Sequence, residues 1–219
     1  MSNDAGEIKC YTAYIIDMSK QPATTVDAKW TWENCRDSIM KLADRPEFKA
    51  GIRLLGYLLQ PTGNFVDELH EKTPVQEKRR VQYLYSILKY YAEGTPVPVK
   101  NTLIKFNQLA GGVAKAAFSD QIERELKAFF DKDRAATSRI FTDVFHARPA
   151  NYGDLAYTIE FLPGFPVTFV YHAPDEELPS EFKIFFDATA NNYLPTEICD
   201  FLIDIFVDRI KQLSLKLTN

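Results

Sequence analysis

The stretch FFDATANNYLPTEICDFLIDIF, Phe185 to Phe206, passes from an apolar, strand-like run through Asp187, Thr189, Asn191, Asn192, Tyr193 and Thr196 into an amphipathic helix. A loop entering a helix in this way can bind a ligand, because the free N–H groups of the first turn and the positive end of the helix dipole point out of it. Asp187 and Tyr193 are then the groups that would orient the ligand. Capping accounts for the same composition more simply, with Asp187, Thr189 or an asparagine side chain satisfying those N–H groups. His172 ends an apolar run just before Asp175, Glu176 and Glu177 and can join them around a hard metal ion. An exposed acidic turn is the plainer reading there, and no metal is expected.

The other chemistry-bearing residues form no recognised constellation. His70, His146 and His172 lie far apart, with no H-E-x-x-H and no pair at helical spacing, so a zinc enzyme lacks its ligands. Cys10, Cys35 and Cys199 are equally scattered. A sparse, odd set suits a reducing compartment, and Cys35 and Cys199 fall in apolar helical patterns that read as buried thiols. NQLAGGVAKAAF, with Lys105 and Lys115 nearby, lacks the order of a phosphate-binding loop, so the glycine pair reads as a turn. Asp200, Asp204 and Asp208 recur every four residues and read as a solvated helical stripe. No nucleophile, base and orienting acid line up as a hydrolase requires.

The elements that must hold these residues are legible in part. Residues 7–17 suggest a strand, and a helix from an Asp27 cap to about Ala43 would carry Trp32, Cys35, Ile39 and Leu42 on one face. Glycines and Pro61 turn the segment after Pro46 toward a hairpin of strands. Thr73, Pro74 and Gln76 resemble a capping box ahead of a buried helix that ends at Gly94. NTLIKF predicts a short strand, and Ser119 a cap for a helix carrying Ile122, Leu126 and Phe130. Another helix would bury Ile140, Phe141, Val144 and Phe145. The period then changes to two: LAYTIEFL and FPVTFVYH join through a Pro-Gly turn, FKIFFD follows, and a helix from about Pro195 to Leu217 covers them. The expected class is α+β, an antiparallel sheet with a C-terminal β-hairpin and third strand under several helices. One domain over 1–219 is expected, with a helical and hairpin part at about 1–93 and a core at about 94–219.

Twenty-six Lys and Arg against thirty Asp and Glu give a net charge of −4 with only one short basic cluster at Lys78 to Arg80. Nucleic acid is therefore not an expected partner. The first residues carry acids rather than a signal peptide's apolar run, and no window approaches a membrane span, so a soluble cytoplasmic protein without a membrane partner is expected.

From about Gly94 to Ile210, KNTLIKFNQLAGG followed by YGDLAYTIEFLPGFPVTFVYHAPDEELPSEFKIFFDATANNYLPTE resembles the domain of unknown function 3786 family of bacterial and archaeal proteins. Residues 46–92 fit it less closely. The resemblance implies no established activity; some relatives are labelled as iron–sulfur proteins or joined to corrinoid-related modules in anaerobes. A cluster needs about four thiolate or imidazole ligands, so three dispersed cysteines imply none here, and the cofactor is unknown. The reading is a non-catalytic ligand-binding or accessory protein with an unknown small-molecule or protein partner. An enzyme assembled around His172 and the Asp187 to Glu197 loop is the alternative.

Overall fold

The computed structural model describes residues 29–217, so the strand expected over 7–17 and the Asp27 cap lie outside the described residues. The first helix, α1 (Trp32–Met40), is instead capped by Thr31, whose hydroxyl accepts from the Asn34 N–H at 3.4 Å. A hydroxyl one residue ahead of the apolar periodicity is what satisfies a first-turn donor. Cys35, Ile39 and Leu42 of this segment are buried as the spacing predicts.

The glycine-broken segment after Pro46 forms strands, and more of them than a hairpin. β1 (Arg53–Leu54), β2 (Tyr57–Leu59), β3 (Phe65–Asp67) and β4 (Thr73–Pro74) make a small antiparallel meander in that order. This corrects the capping box expected at Thr73 to Gln76. Thr73 and Pro74 pair with Asp67 and Val66, and Val75 N–H donates to the Phe65 carbonyl at 2.9 Å. Strand pairing claims those residues, and α2 (Lys78–Glu93) starts only afterwards, buried through Leu84, Tyr85, Ile87, Leu88 and Tyr91 and ending at Gly94.

After β5 (Leu103–Lys105) the chain winds from the Gly111-Gly112 turn through a 3₁₀ segment into α3 (Ala116–Lys132). Ser119 therefore lies inside α3 and does not cap it, because winding is under way before the chain reaches it. α4 (Arg134–Arg139), capped by Asp133, runs into a π-helical turn at Ile140–Val144 that buries Ile140 and Phe141.

β6 (Arg148–Pro149), β7 (Leu155–Leu162), β8 (Phe165–His172) and β9 (Glu181–Asp187) join β5 in a second antiparallel sheet ordered β5-β9-β8-β7-β6. The β7–β8 turn closes at Leu162 and Phe165, with Gly164 at φ 75°, the conformation the Pro-Gly turn demands. After the short helix α5 (Ala190–Tyr193), α6 (Thr196–Leu217) crosses the inner face of this sheet. The Phe206 ring lies 5.0 Å from Phe169, 5.1 Å from Phe161 and 5.4 Å from Phe141. The fold is α+β as expected. No helix among the described residues is long and apolar enough to cross a membrane.

The small meander meets α6 through a buried ion pair. Arg209 of α6, fully inaccessible, donates to both carboxylate oxygens of Asp67 on β3 at 2.7 Å and to the Leu55 carbonyl at 3.1 Å, and lies over the Tyr57 ring. The aspartate stripe of α6 is not uniformly solvated. Asp200 is buried, and Asp204 has its pKa pushed up to about 6 by desolvation and by Asp208. Asp208 is half-buried and pairs with Arg80 and Lys211.

Candidate functional site

β9 delivers Asp187 to the end of the sheet, and α5 and the Leu194-Pro195 link return the chain into α6. Within that short span the polar side chains reach outward to other loops. Asp187 accepts from the Thr189 hydroxyl at 2.6 Å, the Thr189 N–H at 3.0 Å and the Lys100 and Thr102 N–H groups at 3.2 Å. Burial pushes its carboxyl pKa up, but these donors outweigh burial and hold it below the usual carboxylate range. Asp187 thus braces the strand entering β5 and does not cap α6. In the first turn of α6 the N–H groups of Ile198 and Cys199 donate to the Pro195 carbonyl instead.

Asn191 and Thr196 perform a parallel task at the glycine-pair loop. The Asn191 amide donates to the Leu194 carbonyl and to the Thr196 hydroxyl, both at 3.1 Å, while its oxygen accepts from the Ala110 N–H at 2.8 Å. Thr196 donates to the Ala110 carbonyl at 2.7 Å. With Ala110 N–H and Gly112 N–H both engaged, the latter by the Leu109 carbonyl, that loop is a tethered turn. Tyr193 is buried, exchanges two hydrogen bonds with the Val97 backbone and stacks on Tyr91 with ring centroids 5.8 Å apart.

The close fit around Tyr193 explains Gly94. A β-carbon there would lie 2.8 Å from the Tyr193 carbonyl oxygen and 2.9 Å from its α-carbon, and the neighbouring Thr95 N–H donates to the Asn192 carbonyl at 2.9 Å. Where these segments converge, a cleft of about 550 Å³ opens. Tyr90, Glu93 and Gly94 line it from the end of α2, Ala110 from the tethered turn, and Asn191, Asn192, Tyr193, Pro195 and Thr196 from the α5–α6 link. Four of the residues singled out in the sequence are thus brought together. Asp187 and Thr189 stand behind them in the bracing network. Tyr90, Glu93 and Gly94 were not singled out as site residues in the sequence; the signal available was a helix ending at Gly94 before Thr-Pro.

The sequence profile of the family described as a domain of unknown function, DUF3786, matches residues 44–209. The chain belongs to the DUF3786 family. No curated protein and no solved structure matches the chain. The matched span of this DUF3786 member begins well ahead of Gly94, so the small meander, which fitted the resemblance less closely, lies within it. Every residue lining the cleft, and both ends of the Asp67–Arg209 pair, also fall inside it.

His172 does not join these residues. It is exposed, pairs with Glu181 at the far end of β9, and six strand residues at about 3.3 Å each put it ~20 Å from Asp187. Among the described residues no three His, Cys, Asp or Glu side chains are grouped to hold a metal ion. Cys35 and Cys199 are fully buried, and burial raises both thiols, Cys35 to about 11. They stand on separate helices, α1 and α6, and fall short of the about four ligands an iron–sulfur cluster needs.

Proposed function

We propose that this DUF3786 member is a non-catalytic binding or accessory protein that holds its ligand in the cleft between the end of α2 and the α5–α6 link. One observation carries the reading: Asn191, Thr196 and Tyr193 are fixed by hydrogen bonds to two separate backbone segments, at Ala110 and at Val97, so the rim is built before any ligand arrives. A rim fixed in advance lowers the ordering cost of binding. Among the described residues the cleft holds Glu93 and tyrosines but no histidine, cysteine or serine, which favours binding over acid–base or nucleophilic chemistry. The alternative enzyme built from His172, Asp187 and Tyr193 would have to bring His172 across the length of β9.

The family resemblance supplies a context, anaerobic corrinoid or iron–sulfur metabolism, in which a chain whose buried thiols do not suit cluster ligation would act beside the cofactor's carriers. Free thiols at Cys35 and Cys199 accord with a reducing cytoplasm.

Asn192→Trp tests the cleft. The Asn192 side chain is exposed, and the backbone carbonyl that receives Thr95 remains in the variant. In a thermal-shift screen of metals, nucleotides, tetrapyrroles and small acids and amines, a compound that stabilises the parent but not the variant is expected. Equal responses of both forms to every compound would overturn the reading.

A further inference from the structure

Resting on the cleft as the binding site, the chemistry of its lining narrows what it takes. Among the described residues that line it, Glu93 is the only one with a formal charge, and no Lys, Arg or His stands among them. An anionic ligand would meet a carboxylate whose one nearby cation, Lys89, is already engaged on Oε1. A wholly apolar ligand would meet amide and hydroxyl groups along the α5–α6 link. Lys89 and the Ser38 hydroxyl both reach Glu93 through Oε1, the latter at 2.6 Å, and Oε2 has no hydrogen-bond partner among the described residues. Tyr90, one turn before Glu93, is half-buried and held by Trp30, whose ring centroid lies 5.5 Å away. A fixed aromatic ring beside a carboxylate is the arrangement that attracts an ammonium group, through the ring quadrupole and the opposite charge together. Asn192, exposed on the α5–α6 link, adds an amide acceptor to the lining.

We propose that the cleft recognises a small organic cation, with Glu93 as the counter-charge, Tyr90 as the aromatic wall and Asn192 as an orienting acceptor. Lys89 sits at Glu93 as an internal ammonium on one oxygen, which leaves the other for the ligand. The attraction is partly exposed, so it weakens as salt is added.

The test is a titration of the isotopically labelled full chain, following the amides of Gly94, Asn192 and Thr196. The probes are n-butylammonium and putrescine, with 1-butanol and butyrate as neutral and anionic counterparts. The two cations are expected to shift these amides and the counterparts are not. Glu93→Gln, which still offers Ser38 an acceptor, is expected to weaken cation binding roughly fivefold or more, and Tyr90→Leu to weaken it by a comparable factor. Unchanged spectra away from the cleft confirm that each variant is folded. Saturation by butanol or butyrate in place of the cations, or undiminished cation binding by Glu93→Gln, overturns the cation assignment and leaves the cleft standing. Amides that stay still with every probe overturn the cation assignment, and the Asn192→Trp screen then decides separately whether the cleft binds anything else.

Discussion

Asp187 shows how a residue that reads as a helix cap or a ligand group serves a different end. It accepts four hydrogen bonds, and an amide nitrogen in its place can accept none. Asp187→Asn is therefore expected to strand at least one backbone donor and cost about 1 to 3 kcal/mol in urea unfolding. Because the folded carboxyl is held below its ordinary pKa, that contribution is complete above the unfolded pKa and is lost as the pH falls through the folded one. The gap between parent and variant should be full at neutral pH and close below about pH 4; a gap unchanged down to lower pH would contradict the account. Asp204 runs the opposite way. Desolvation, then Asp208 and Glu125, raise it to about 6 against the relief from Arg79 and Lys211. Its ionised form is disfavoured in the fold, so stability declines as the pH rises from the unfolded pKa through about 6. Asp204→Asn should raise the melting temperature at slightly alkaline pH and leave it unchanged only below about pH 4, where the carboxyl is protonated folded and unfolded alike.

Among the elements, those with one buried face were legible in the sequence and those defined by a distant partner were not. β7 and β8 alternate Tyr157, Ile159 and Phe161, then Val167, Phe169 and Tyr171, inward, and a two-residue period needs no knowledge of the rest of the chain. The start of α2 was misread because a local Thr-Pro-x-Gln pattern cannot reveal that β3 claims Thr73 and Pro74. The cleft was half legible for the same reason. Asn191 to Thr196 announced themselves by composition, whereas their partners are far away in sequence, as with Val97 and Tyr193, 96 residues apart. Gly94 was readable as a helix stop, yet its φ of −66° is open to any residue, and only the approach of Tyr193 forbids a side chain. Gly94→Ala is expected to push α2 away from the α5–α6 link, at a cost of about 1 to 3 kcal/mol, with loss of amide protection at Thr95. Full stability together with slow exchange at Thr95 would show that the approach is looser than described.

Across the whole molecule, Arg209 and Asp67, 142 residues apart, tie the small meander to α6, and neither stood out in the sequence. A charged residue inside an amphipathic helix pattern reads as a solvated one; burial becomes visible only with its partner in place. Removing the cation alone leaves Asp67 without its main counter-charge, so Arg209→Met should destabilise by about 3 to 5 kcal/mol, and pairing it with Asp67→Leu should restore much of the loss. If the single change were neutral, the meander would not depend on this pair. The central claim, that the Asn191 to Thr196 rim and the end of α2 enclose a ligand site, is tested most directly by native mass spectrometry of the chain purified from its own host, beside Asn192→Trp prepared identically. The account predicts a small-molecule adduct on the parent that is absent from the variant. A bare parent mass, or an adduct held equally by both, would contradict it.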